Sequence, residues 1–289
     1  MLLSFTINAA ETSQDYTSSS TQSSVTKSTF AKQAKEDYAK QAVHTELSDE
    51  EVSELLLLYR ETGDNQYEEA LNNAGIYLYS SATSLMNYPT NSNARATSSA
   101  DVIMNTCEVL HNTSKNQWEI RFVGKWKSIT PISDEVHVWF NPSVGSTMHV
   151  GGYDAVGIIL YETSGPSPTK LDSYATLRSS DKKTSTTSEN PDTHDDSKGV
   201  AFSIQDYIIC TKKTSMFTYE WDYVGAIFET TMIFDSSFEN FHGKAKGHYA
   251  HTWNSASITS IGVGWPSFDM SWIPENNAFG CFSDAAATF

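Results

Sequence analysis

The spacing of apolar residues along the chain predicts helices between residues 30 and 86. The first helix is marked by apolar side chains at every fourth position, namely Phe30, Ala34, Tyr38 and Ala42. In the following segment, LSDEEVSELLLLYRETG, Ser48 and Glu51 have the spacing of a capping box. Gly63 stands where a helix C-terminus is expected. These signals predict both ends of a second helix.

The helical region is predicted to finish in a linker. A third helix is expected from Asp64 to Leu85, with Gly75 as its weakest position because glycine disfavours helix interiors. Residues 87–100 then cluster Pro, Asn and Ser without any periodicity, which is typical of a linker.

Residues 101–289 change to the period of β-strands. Short alternating or wholly apolar runs are separated by turn clusters, a spacing typical of an antiparallel sandwich. In residues 118–126, WEIRFVGKW, the Trp, Ile and Phe side chains alternate with Glu and Arg. The polar insert 179–199 is predicted to be an exposed loop. The chain is therefore predicted to be α+β, with a short N-terminal helical region followed by a mainly antiparallel, jelly-roll-like β-sandwich.

Charge and composition favour a secreted protein that does not bind nucleic acid. The 289 residues include 19 basic and 35 acidic ones, a net charge of −16, whereas phosphate binding needs clustered Lys and Arg. Few residues are charged and many are Ser, Thr or aromatic, as in extracellular β proteins. Residues 1–10 resemble the end of a secretory signal peptide, although they lack basic residues. Residues 11–29 are Ser/Thr-rich and predicted to be a disordered lead.

The three cysteines allow at most one internal disulfide and leave one thiol over. For a secreted chain, a Cys210–Cys281 disulfide is favoured because both residues lie in the strand-rich part. Three buried, unreactive thiols, including Cys107, remain the alternative.

Three histidines in the stretch HGKAKGHYAHTW raise the question of a metal site. Successive side chains of a strand point to opposite faces, so His248 and His251 are predicted to diverge. His242 could approach His248 only through a turn or bulge at the intervening glycines, Gly243 and Gly247. Strand parity therefore argues against a histidine metal site.

The same parity places Tyr249, His251 and Trp253 together on one face. Their polar tips suit a half-exposed surface, and aromatic rings with nearby donors can stack on sugar rings or contact a protein. Trp139 lies opposite an apolar face and is also predicted to be exposed. These four residues are the predicted ligand-binding residues.

Two acidic patterns offer weaker alternatives. Glu220 and Asp222 lie two residues apart on one strand face and resemble the Glu-x-Asp pair of jelly-roll glycosidases, which hydrolyse glycans with paired carboxylates. Val224 and Gly225 stand where that family usually carries a further acid, so solvated outer-face acids are the favoured interpretation. In the polar insert, the aspartates Asp192, Asp195 and Asp196 could supply oxygen ligands to Ca²⁺, although Lys198 would oppose a cation.

Together the patterns favour a non-enzymatic, secreted binding protein. The chain has no nucleophile-elbow, dinucleotide-binding or Walker motif. The predicted partner is a carbohydrate or an extracellular protein, and no cofactor is required beyond the possible Ca²⁺. Two alternatives stay open: a pore-forming or antibacterial toxin, whose membrane hairpin would include AIFETTMIFD, and a glycoside hydrolase using Glu220 and Asp222.

Overall fold

The computed structural model describes most of the chain as three helices and a set of antiparallel strands. The described residues are 5–8, 25–41, 44–80, 99–129, 132, 142–215, 218–253, 257–263, 267–273, 278–283 and 285–289. The helices are α1 (Lys27–Lys40), α2 (Asp49–Thr62) and α3 (Asn65–Asn73). The strands are β1 (Phe5–Asn8), β2 (Ile76–Ser80), β3 (Val102–Met104), β4 (Glu108–Asn112), β5 (Gln117–Trp126), β6 (Thr147–Ser164), β7 (Lys170–Arg178), β8 (Ser185–Ser188), β9 (Thr193–Asp195), β10 (Gly199–Lys213), β11 (Tyr219–Val224), β12 (Ile227–Phe234), β13 (His242–Thr252), β14 (Ser257–Gly262), β15 (Ser267–Ile273), β16 (Ala278–Phe282) and β17 (Ala287–Thr288).

The strands form two large sheets and one small sheet. Sheet I has the order β11-β10-β6-β13-β16, with β9 beside β10 and β17 beside β13. Sheet II has the order β2-β4-β5-β12-β7-β8, with β3 beside β5. Sheet III has the order β1-β15-β14. Sheets I and II pack together, which confirms the predicted α+β fold with a mainly antiparallel sandwich.

The main hydrophobic core lies between sheets I and II. It joins Trp118 and Phe122 of β5 and Phe228 of β12 to Val156 of β6 and Tyr249 of β13. The alternation predicted for residues 118–126 is confirmed, because the apolar side chains of β5 enter this core. Burial of these large side chains supplies the main driving force for the sandwich.

Each large sheet is also covered on its outer face. On sheet II, Val52, Leu56 and Leu57 of α2 pack against the strands. On sheet I, Ile258 and Ile261 of β14 pack over a patch of small residues and isoleucine. The described part of the molecule is therefore layered as helices, sheet II, sheet I and sheet III. None of the described helices is long and apolar enough to cross a membrane.

The predicted helix ends at Ser48 and Gly63 are confirmed, but the third helix is shorter than predicted. Ser48 and Glu51 form a complete capping box, and Gly63 ends α2 in the left-handed conformation. Helix α3 ends at Asn73, and residues 76–80 pair with β4 as a strand. Gly75 adopts φ +76° between them, which turns the chain into the β-branched and aromatic run IYLYS.

Several other boundaries differ from the predictions. Helix α1 begins at Lys27, inside the segment predicted to be disordered. The polar insert 179–199 contains β8 and β9, which pair with β7 and β10. Residues 5–8 pair with β15, so part of the predicted signal peptide forms an edge strand of sheet III. The 87–100 linker lies outside the described residues up to position 98.

Strand β13 carries the histidine-rich stretch through the middle of sheet I. A register shift between His242 and Lys244 places a bulge at Gly243, as predicted. Gly247 instead lies in regular strand directly over the ring of Phe122, which is fully buried. A Cβ atom at position 247 would overlap that ring.

The Gly247→Ala substitution is therefore expected to lower the free energy of unfolding by about 3 kcal/mol, because the buried ring of Phe122 would have to move. Urea denaturation measures the loss. Gly145→Ala is the matched control, since Gly145 has open space around it and its substitution costs only about 1 kcal/mol for the left-handed backbone. Equal losses in the two variants would contradict the proposed overlap.

Candidate functional site: a buried carboxylate and histidine cluster

The predicted ligand-binding residues of β13 lie inside the molecule. Tyr249, His251 and Trp253 share a face as predicted, but the prediction that this face is exposed is wrong, with relative exposures of 0%, 0% and 8%. The face points toward sheet II, where the Tyr249 ring stacks on Phe228 with centroids 3.8 Å apart. Alternation identifies which residues share a face, but the packing of the other sheet decides whether that face meets water.

Two carboxylates meet His251 in this core. Asp154 comes from β6, which pairs with β13 in sheet I. Asp206 comes from β10, which pairs with the other edge of β6. Asp154 is fixed by the backbone N–H of Thr252, which donates to its Oδ1 at 3.0 Å. Asp206 lies at a register shift between Gln205 and Tyr207, and its side chain points into the core.

The three side chains form a compact, sealed cluster. His251 Nδ1 lies 3.0 Å from Oδ1 and 3.1 Å from Oδ2 of Asp154, and 3.8 Å from Oδ2 of Asp206. All three residues have 0% relative exposure. A pair of carboxylates is thus held in the core beside a single imidazole.

Tyrosine hydroxyls orient both carboxylates. Tyr249 donates to Asp154 Oδ2, and Tyr223 donates to Asp206 Oδ2, each at 2.6 Å. The indole N–H of Trp126 donates to the Tyr249 hydroxyl at 3.3 Å. These bonds supply some of the partners that buried polar groups require.

Burial dominates the electrostatics of the cluster. It raises the pKa of Asp206 well above its ordinary value, and the charge of Asp154 raises it further while His251 acts in the opposite direction. Burial also raises the pKa of Tyr223 and Tyr249, and the neighbouring carboxylates add to the effect. Both phenols therefore stay neutral and can donate hydrogen bonds.

The arrangement can hold either a shared proton or a cation. Among the described residues, it is the only group of three or more His, Cys, Asp or Glu residues whose ligand atoms lie within 4.8 Å of one another. Its complete burial separates it from any polymeric substrate, so the cluster does not resemble an open hydrolytic site.

Asp154 and Asp206 are candidate site residues that were not predicted from the sequence. Each stands in or beside a strongly apolar strand run, in YDAVGIILY and SIQDYII. An ionisable residue in such a run is costly to bury unless it has partners. That exception to the apolar pattern was the available signal.

The remaining histidines of the stretch do not join the cluster. His248 lies on the opposite face of β13 from His251, as strand parity predicts, and packs against Gly157. Its burial lowers its pKa to about 3, so it is neutral. His242 is exposed at the start of β13.

The weaker catalytic pair makes surface contacts. Glu220 is exposed and pairs with Lys212, the two charged atoms being 2.6 Å apart. Asp222 accepts hydrogen bonds from Ser180 and from the backbone N–H of Tyr223. Both acids thus hold neighbouring strands and loops together, in agreement with the outer-face interpretation.

The aspartates of the polar insert are not gathered into a calcium site. Asp192 accepts from the backbone N–H of Ser203. Asp195 pairs with Lys198 at 2.9 Å, so a lysine ammonium occupies one of its oxygens. Asp196 does not join these two in any ligand group found among the described residues.

The predicted Cys210–Cys281 disulfide is wrong, because none of the three cysteines forms a disulfide. Cys210 lies on β10 and Cys281 on β16, with β6 and β13 between them in sheet I. Three strand spacings of about 4.8 Å far exceed the separation of less than ~7 Å that a disulfide needs.

Exposed aromatic residues do occur on the outer face of sheet I. Tyr153 is 51% exposed and lies opposite Gln205. His149 is exposed and lies opposite the half-buried Tyr207. These four residues are cross-strand neighbours on either side of the register shift and are here called the tyrosine patch, in which Tyr207 also packs against the main core. Trp139, the fourth predicted ligand-binding residue, lies outside the described residues.

Comparison with protein-family models and with curated proteins finds no match to this chain.

Proposed function

We propose that the protein is a secreted, non-enzymatic binding protein that holds carbohydrate on the tyrosine patch. The observation that carries the proposal is the half-exposed ring of Tyr153 on a sheet face that also carries His149 and Tyr207. A rigid ring with a polar tip can stack on a sugar ring while its neighbours donate hydrogen bonds. Composition supports secretion, as argued from the sequence.

Two features of the patch support a role in sugar binding. Its residues stand on β6 and β10, which are paired over most of their length, so the rings are held on a firm backbone. The side-chain amide of Gln205 donates to the carbonyl of Gly152 at 2.8 Å and is thereby fixed beside Tyr153. A sugar ring would meet a preformed surface and lose little free energy to ordering it.

Glycan-array binding of the intact chain tests the proposal. Binding to at least one glycan is expected, and Tyr153→Ala is expected to weaken it by about five- to thirtyfold, since ring stacking contributes about 1–2 kcal/mol. Leu171→Ala is the matched control because Leu171 is 49% exposed on β7 of sheet II. Equal weakening in both variants would contradict a role for the patch.

The array also separates the competing functions. Binding to an extracellular protein instead of any glycan would replace the ligand but keep the patch. Dye release from liposomes without glycan binding would favour the toxin. In the structure β12, which contains most of AIFETTMIFD, is buried between β5 and β7, so a membrane hairpin would have to leave the core.

A further inference from the structure

We propose that Asp154, Asp206 and His251 bind a divalent first-row transition-metal ion, of the Mn²⁺ to Zn²⁺ series, in the core of the sandwich. The proposal concerns a site inside sheet I and is independent of the tyrosine patch on its outer face. It rests on the juxtaposition of two carboxylates and one imidazole from three neighbouring strands.

The spacing of the ligand atoms fits one ion. A metal bound at about 2.0–2.2 Å to each ligand separates neighbouring ligand atoms by about 3.0–3.6 Å. His251 Nδ1 lies 3.0 Å from Asp154 Oδ1 and 3.8 Å from Asp206 Oδ2. All three ligand atoms lie within 4.8 Å of one another, so a bound cation would draw the two carboxylates closer together.

The charge balance of the core favours a cation at this place. The two carboxylates are fully buried. Among the described residues, each of them forms an ion pair with His251. One imidazolium could offset only one of two negative charges. A divalent ion offsets both, and its binding would release the protons that the cluster otherwise holds.

The surroundings already orient the ligands. Tyr249 and Tyr223 each fix one carboxylate through Oδ2, and the Thr252 N–H fixes Asp154 through Oδ1. Metal sites characteristically use such hydrogen bonds to hold their carboxylate ligands. The tyrosine and tryptophan rings around the cluster also keep water away from it.

The donor set selects the class of metal. Imidazole nitrogen with two carboxylate oxygens suits Mn²⁺, Fe²⁺, Co²⁺ or Zn²⁺. Ca²⁺ takes oxygen ligands only, whereas this site presents the imidazole nitrogen of His251. The site differs from the calcium site considered for the polar insert in both place and chemistry.

The test measures metal in the intact chain, purified without chelator or a histidine tag. Elemental analysis is expected to find close to one transition-metal ion per chain. The chain refolded with Zn²⁺ or Mn²⁺ is expected to melt at a higher temperature than the chain refolded with EDTA, because an ion that binds only the folded state stabilises it. Refolding with Co²⁺ should give the visible absorption bands of a coordinated ion.

The decisive variant is Asp206→Asn, which keeps the shape of the side chain and removes one charged ligand. It is expected to lower metal content at least tenfold and to abolish the difference in melting temperature between metal and EDTA. His248→Gln is the matched control, because His248 is also buried and lies on β13, the strand of His251, but faces away from the cluster. This control should keep its metal.

A cluster that holds a proton instead of a metal ion would give different results. If the cluster holds only a proton, the wild-type chain will contain no bound metal and will show no metal-dependent melting shift. Asp206→Asn would then melt at a higher temperature than wild type at neutral pH, since an amide is neutral in the core without taking up a proton on folding. That outcome, or equal metal loss in His248→Gln, would overturn the proposal.

Discussion

Replacing Arg121 with methionine is expected to lower the free energy of unfolding by about 3–5 kcal/mol, which makes this ion-pair network one of the most consequential in the chain. Arg121 lies on β5 beneath α2, with a side chain only 2% exposed. Its Nε donates to Glu119 at 2.8 Å, and its Nη2 donates to Asp49 at 2.9 Å. Its Nη1 also donates to the Ser53 hydroxyl at 3.1 Å.

The expected loss comes mainly from the group that is left behind. Glu119 is 3% exposed, so methionine at position 121 would leave its carboxylate buried without the guanidinium. An uncompensated buried charge costs more than the net gain from the original pair. Urea denaturation followed by circular dichroism measures the change in stability.

Two further variants test this reasoning. In the double variant Arg121→Met with Glu119→Leu, both buried charges are removed, and most of the lost stability should return. Lys182→Met is the matched control, because Lys182 pairs with Glu54 of α2 at the exposed margin of the same interface and should change stability by less than about 1 kcal/mol. A stable single variant would contradict the assigned role of Arg121.

Strand β5 shows which structural features the alternation of residues predicts and which it does not. Alternation in β5 correctly separates the core-facing Trp118 and Phe122 from Glu119 and Arg121. It cannot show that α2 covers the charged face, because the position of a helix on a sheet depends on distant contacts. Charged residues that look solvated in a period-two pattern are therefore buried here under a helix.

The cluster at His251 could be predicted only in part from the sequence. Parity predicts that His248 and His251 point apart, and this is confirmed. The meeting of Asp154, Asp206 and His251 depends on strand order and register, since their strands are far apart in sequence. Neither order nor register follows from the spacing of apolar residues.

Local signals were most reliable where local chemistry decides the outcome. The capping box at Ser48 and the left-handed Gly63 depend on neighbouring residues, and both are confirmed. The stretch 76–80 becomes a strand because β4 offers it hydrogen-bond partners, a contact that the helical spacing of Leu71 and Leu78 does not reveal.

The second large effect concerns Lys27, the first residue of α1, whose ammonium group is buried. It has 0% relative exposure and donates to the carbonyl of Phe241. The rings of Phe238 and Phe289 lie 4.3 and 5.1 Å from its Nζ. Burial lowers the pKa of Lys27 from 10.5 to about 7, and the charge of Glu239 only partly opposes this shift. The positive end of the helix dipole also disfavours a cation at this position.

Lys27→Met is therefore expected to stabilise the protein at pH 7 by about 2–3 kcal/mol and to change its dependence on pH. Between pH 7 and 10.5 the folded wild-type chain binds fewer protons at Lys27 than the unfolded chain, so its stability rises with pH. The advantage of the variant should shrink by about 2 kcal/mol between pH 7 and pH 9. Below pH 7 the lysine is charged in both states, and the difference becomes constant. Urea midpoints of both chains at several pH values measure this convergence.

Lys32→Met separates burial from the mere loss of a charge, because Lys32 lies on the exposed side of the same helix. Its stability should run parallel to that of wild type between pH 7 and pH 9. His242 is also sensitive to Lys27, whose charge adds to the effect of burial in lowering the pKa of that imidazole. Above pH 7 most His242 side chains are neutral in every chain, so the convergence reports mainly on Lys27. A gap between wild type and Lys27→Met that stayed constant from pH 7 to pH 9 would show that Lys27 keeps its proton in the folded core.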